Sequence, residues 1–144
     1  MTNENQPLAP FDRLVGGEWH MADSYHVFRW GAANKSFHSQ SFFVAEGTPV
    51  PVGDGVWFFH PGEGVIRGYG MADGMGIDLF EYTSRWEGDT LINDLVTYDA
   101  DGDKGEYVEH WEFSDSDTYE WTLYARAGDG LQKAMGGTFT RKAS

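Results

Sequence analysis

Cysteine is absent from this chain of 144 residues, which excludes a disulfide framework, a redox thiol and a thiolate metal site. Positive charge is scarce. Against 23 Asp and Glu stand 10 Lys and Arg, a formal net charge of −13. A surface of that sign repels phosphate backbones and anionic headgroups, so neither nucleic acid nor a membrane is expected as a partner. No apolar run is long enough to span a bilayer, and the opening Met1-Thr2-Asn3-Glu4-Asn5-Gln6-Pro7 has no apolar core of a signal peptide. The expectation is a soluble, cytoplasmic protein whose acid is a solvated surface. Helix signals are nearly missing as well.

What the chain does have is aromatic residues, at 16%, and 19 glycines, arranged in period-2 runs broken by Gly, Asp and Pro. Such runs read as an antiparallel meander. Strands are expected at 17–22, 25–32, 36–45, 56–60, 65–71, 77–86, 90–98, 106–113, 119–125 and 132–141. Turn signals separate them, among them Pro61-Gly62-Glu63-Gly64, Glu87-Gly88-Asp89, Asp99-Ala100-Asp101-Gly102-Asp103 and Gly128-Asp129-Gly130. Only the connection 46–55, with Pro49 and Pro51, is expected to be long. Short hairpins place neighbours side by side, which predicts an all-β, up-and-down antiparallel β-barrel of about ten strands rather than a Greek-key sandwich. The expected layout is a flexible tail over 1–9 and one barrel domain over 10–144. A helical turn in 10–15 caps one end.

The triplet Gly17-Glu18-Trp19 opens the strands, and Gly137-Thr138-Phe139-Thr140-Arg141 closes them. With Gly-x-Trp at the start and an Arg on the last strand, the chain resembles the calycin superfamily of lipocalins, fatty-acid-binding proteins and nitrobindin-like barrels. Its closest resemblance is to bacterial lipocalin-like members of unassigned function. The resemblance implies that Trp19 plugs one barrel end and that Arg141 lies across its indole, a cation–π contact. It also raises haem, held by one histidine. Nitrobindin-like barrels carry that histidine near the C-terminus, where this chain has Met135-Gly136-Gly137, so neither haem nor another cofactor is expected.

Alternation sorts the candidate interior, because successive side chains of a strand point to opposite faces. Tyr107, Glu109, Trp111 and Phe113 share one face, as do Tyr119, Trp121 and Leu123, and these aromatic sets are expected to point inward. Parity in 79–84 and 91–96 is undecided, since both faces there are mixed. An inward Arg67 and Tyr69 would form an Arg-x-Tyr pair able to fork onto a ligand carboxylate. Fatty-acid-binding proteins place a similar pair on their final strand, which here reads Phe139-Thr140-Arg141. An outward Arg67, or one paired internally, is the competing reading.

The candidate ligand-binding set is therefore Arg67, Tyr69, Tyr107, Glu109, Trp111, Tyr119 and Trp121. A barrel lined this way suits a small hydrophobic or aromatic molecule bound without covalent chemistry. The alternative is a cofactor-free acid–base enzyme of isomerase, lyase or cyclase type, in which a buried Glu109 or Glu81 works with Tyr69, Tyr82 or His60. The histidines His20, His26, His38, His60 and His110 show no metal-ligand spacing, so no metal site is expected. The run from Asp99 to Lys104 opens like a calcium loop, but Lys104 replaces the turn glycine and strands flank it. Both faces around His26, Phe28, Trp30, Phe42 and Val44 are partly apolar, which raises a homodimer through the outer wall.

Overall fold

In a computed structural model, which describes residues 6–74 and 76–143, ten antiparallel strands close into one barrel. They are β1 (Glu18–Met21), β2 (Ser24–Trp30), β3 (Ser36–Ala45), β4 (Thr48–His60), β5 (Val65–Ala72), β6 (Leu79–Glu87), β7 (Thr90–Tyr98), β8 (Lys104–Asp115), β9 (Thr118–Ala127) and β10 (Gly130–Lys142). Each strand lies beside its sequence neighbours, and the ring shuts where Trp19 of β1 opposes Arg141 of β10. The up-and-down order expected from the short hairpins is the observed one. Among the described residues no helix is long and apolar enough to cross a membrane.

The segment 46–55, expected to be a long loop, is instead mostly strand. A two-residue turn at Glu46 and Gly47, with φ of 51° and 79°, sends the chain straight back, the positive-φ pair that suits the twist of a hairpin. Pro49 and Pro51 then pair with Val44 and Phe42 of β3. They fit in a strand because β5 reaches along β4 only as far as Gly53, so the missing N–H groups face an open edge.

The N-terminal cap begins earlier than the sequence suggests. A 3-10 helix spans Ala9–Leu14, and Leu8, assigned above to the tail, is only 3% exposed. Residues 1–5 lie outside the described residues. Phe11 and Leu14 project into the barrel end and are fully buried. The Phe11 ring meets Phe37, Trp57 and Trp86 at 5.0, 5.5 and 5.3 Å between centroids.

Local chemistry explains why this end closes. Gly17 has φ of +69°, and a Cβ there would sit 2.5 Å from the Lys142 carbonyl, so the chain turns into β1 only with glycine at this position. Trp19 is then delivered fully buried, its Nε1 donating to Leu14 O at 2.9 Å. The Arg141 guanidinium lies 4.4 Å above its ring. The same group donates to four backbone carbonyls, of Arg13, Val15, Gly16 and Ser116, and to Asp117.

Candidate functional site

Register settles which faces point inward. Starting from buried Trp111 of β8, the cross-strand partners are Leu91 of β7 and Trp121 of β9, so Glu109, opposite Asn93 and Leu123, shares their face. On β6 the inward set is Phe80, Tyr82, Ser84 and Trp86, since Tyr82 opposes Leu95 and Ser84 opposes Asn93. On β2 it is His26, Phe28 and Trp30, because His26 opposes Trp19.

Two zones follow along the axis. Over the helical cap lies an aromatic floor: Trp111 stacks on Tyr119 at 5.2 Å, Tyr119 stacks on Phe139 at 4.9 Å, and Trp57 meets Trp111 edge-on at 5.9 Å. All four are buried. Away from the cap, inward-facing Met21, His26, Ser39, Tyr82, Trp121 and Leu123 keep part of their surface accessible, and Met135 is 53% exposed. Full burial is thus concentrated in the layer over the cap, while Trp30, Trp86 and Phe113 at the capped rim are, like Tyr82 and Trp121, only partly buried. Gly68 makes room in this layer: the Trp57 indole lies flat over it, at 2.8 Å from where a Cβ would be.

At the boundary between the zones sits Glu109, 7% exposed. Asn93 Nδ2 donates to its Oε1 at 2.8 Å and Trp121 Nε1 donates to its Oε2 at 2.8 Å. Asn93 is in turn oriented by Ser84, whose hydroxyl donates to Asn93 Oδ1. An indole N–H only donates, so Oε2 is an acceptor, as it is in a carboxylate. Burial pushes the Glu109 pKa up, while the bonds from Trp121 and Asn93 pull it back in part. Trp111 pulls the same way by proximity, although its Nε1 makes no hydrogen bond of good geometry. Burial first, and the Glu109 charge second, hold the phenols of Tyr82 and Tyr119 well above their usual range. Burial lowers the His26 pKa to about 4, so its imidazole, 5.1 Å from the Phe139 ring, is neutral at pH 7.

Of the sequence candidates, Glu109, Trp111, Tyr119 and Trp121 are brought together on one inner surface, and Tyr107 lies inward on the same strand, opposite Leu95. Arg67 and Tyr69 are not. The inward Arg-x-Tyr clamp is corrected: β5 turns Ile66, Gly68 and Gly70 to the interior, so Arg67 and Tyr69 face solvent. Arg67 bonds Thr83 at 2.8 Å and pairs with Glu63, and Tyr69 is 37% exposed. Glu81, opposite Tyr69, is outward too. His60 ends β4 facing out and accepts the Glu63 N–H at 3.0 Å, which closes a turn. Asp99, Asp101 and Asp103 converge at the β7–β8 turn, where Asp99 accepts the N–H groups of the other two and so closes the loop.

His26, Asn93 and Ser84 escaped the candidate set. Alternation alone leaves β7 ambiguous, but counting outward from the β7–β8 turn finds Asn93. With Tyr98 opposite Lys104, five steps back on each strand put Asn93 opposite Glu109. Of the five histidines only His26 points inward. Two shallow depressions of about 140 and 430 Å³ lie on the outer wall, around Arg67, Asp94 and Arg126 and around Arg29, His38 and Asp54. Both are open to solvent. No family model matches the chain, and no curated protein matches it.

Proposed function

We propose that the barrel binds a small apolar or aromatic molecule in the recess above Trp111 and Tyr119, without covalent chemistry. The observation that supports this most is the change of burial along one inner surface: complete at the floor, partial for the inward-facing Tyr82, Trp121, His26 and Leu123 above it. Tyr82 and Trp121, inward-facing on the side away from the cap and partly accessible, are the rings that support reading a recess there. A mostly apolar recess with few polar groups is the usual form of a small-molecule site. Glu109, His26 and Tyr82 supply those groups. The reading carries with it a calycin-like assignment, supported by the closed barrel and by Arg141 lying across Trp19. A cytoplasmic setting and self-association through the outer wall belong to the same proposal.

Native mass spectrometry of protein purified from its own host, under gentle and denaturing conditions, tests it. A bound mass released on denaturation is the expected result; the bare chain mass, with no saturable change in tryptophan fluorescence across a panel of aromatic compounds, overturns it. One observation favours a second reading. Glu109, with its pKa pushed up, lines the same recess as neutral His26 and as Tyr82, the materials of acid–base catalysis. Turnover of a bound compound, lost in Glu109→Gln, separates that enzyme from a binder.

A further inference from the structure

The interior site is chemically lopsided. Among the described residues, the inward faces of the ten strands carry two formal charges, Glu109 and Arg141. Arg141 is beneath the floor, with every guanidinium nitrogen engaged by Arg13, Val15, Gly16, Ser116 or Asp117 and its plane on Trp19. It has nothing left to offer Glu109. Arg67, the other arginine that a different register would have turned inward, is on the outer wall. The groups that do touch or approach Glu109 are neutral: the Asn93 amide, the Trp121 indole, and the rings of Trp111, Tyr82 and Tyr119. Hydrogen bonds from such groups ease the burial of a carboxylate but leave its charge uncompensated, and a buried charge without a counter-charge is costly.

A ligand's own charge decides how this site responds. An anion would meet Glu109 in a poorly screened interior and a molecule of net charge −13 outside it. A neutral aromatic would gain from ring contacts and leave the carboxylate as it is. A cation would supply the missing partner, and the electron-rich faces of Trp111, Trp121 and Tyr82 would add cation–π attraction that strengthens when water is excluded. The acidic exterior draws cations toward the barrel in the first place.

We propose that the interior site takes an organic cation, an ammonium group on a small apolar or aromatic body, with the nitrogen seated beside Glu109 and the body against Trp111 and Trp121. This rests on the reading of the barrel as a binding protein and narrows its ligand class. Three probes of one shape test it: benzylamine, benzyl alcohol and benzoate, titrated into the protein at pH 7 and fixed ionic strength, with tryptophan fluorescence and calorimetry as readouts. Benzylamine is expected to bind at least tenfold more tightly than benzyl alcohol, with benzoate weakest. In Glu109→Gln, which keeps an acceptor for one of the two N–H donors, the preference falls toward unity while benzyl alcohol still binds. Should that variant fail to fold, the ranking in the unaltered protein decides alone. Equal affinity for benzylamine and benzyl alcohol overturns the cation inference and leaves the binding barrel standing. A preference for benzylamine that survives in folded Glu109→Gln also overturns it, since the charge then lies elsewhere. If none of the three binds, the recess itself is refuted, and the inference goes with it.

Discussion

Replacing Arg141 by methionine removes a group that ties three separate pieces of chain together. Its Nη1 donates to Val15 O and Gly16 O at 2.8 and 2.9 Å, its Nη2 to Arg13 O and Ser116 O at 2.7 Å each, and its Nε to Asp117 at 2.9 Å. The first three carbonyls belong to the exit of the N-terminal helix and the turn into β1, where no strand partner replaces the lost donor. Hydrogen bonds to a charged group contribute about 1.5–3 kcal/mol each, but bonds sharing one guanidinium do not add. Methionine keeps the apolar contact with Trp19 and the stem's packing, which recovers part of the loss. The expected destabilisation is about 3–5 kcal/mol. Lysine retains the charge but presents a point rather than a planar fork, and an intermediate loss of about 2 kcal/mol is expected. With a urea m-value of roughly 2 kcal/mol/M, Arg141→Met then shifts the unfolding midpoint by about 2 M. Asp117→Asn supplies the contrast, since the Asp117 side chain is 63% exposed and its pair with Arg141 is worth under about 1 kcal/mol. A midpoint for Arg141→Met within 0.3 M of the parent, by the same roughly 2 kcal/mol/M slope, refutes the idea that Arg141 holds the cap.

Three further predictions follow from the interior. The His26 pKa falls from 6.5 unfolded to about 4 folded, so the unfolded chain binds the extra proton first and stability drops as pH falls from 6.5 toward 4; urea midpoints at pH 7.5 and 5 show this in the parent and a flatter profile in His26→Phe. Glu109 has the opposite sign: its raised folded pKa gives stability that is greatest when the carboxyl is protonated and declines as pH rises through that pKa. Trp121→Phe removes a donor that lowers it, so the Glu109 carboxyl should titrate still higher by carbon-13 NMR, and an unchanged value counts against the Trp121 bond. Gly68→Ala drives a methyl to within 2.8 Å of the Trp57 ring and 3.0 Å of Val56 O, which is expected to cost about 1–3 kcal/mol in thermal or urea unfolding.

Strand alternation and short turns carried most of the fold, because both are local. β3 and β7 sit where the period-2 runs begin and end, at Ser36–Ala45 and Thr90–Tyr98. The failure at 46–55 had a cause that is not local. Two prolines argue against a strand unless one knows that the far edge is unpaired, and that depends on where β5 stops, which is a tertiary fact. The site was legible where one face of a strand is plainly aromatic, as at Tyr107, Glu109 and Trp111. It was not legible where both faces are mixed. On β5 the interior turned out to be lined by Ile66, Gly68 and Gly70, and the two glycines leave room for Trp57 and Tyr82 to lie across them. A search for large inward side chains reads such a strand inside out.

The orientation of β5 changes the chemistry as well as the geometry. With Arg67 inside, Glu109 would have had a cation to pair with, or a ligand carboxylate would have had a fork to grip, and either case makes the interior neutral or anion-seeking. With Arg67 outside, bonded to Thr83 and Glu63, the same composition leaves the interior around Glu109 with a buried acid and no cationic side chain to pair with it. Under the proposed binding reading, one residue of register on one strand thus inverts the sign of the ligand expected. That link makes the topology itself testable through binding. A preference for benzoate over benzylamine would require a cation in the recess, and the register of β5, which places Arg67 outside, would then be the first feature to fall.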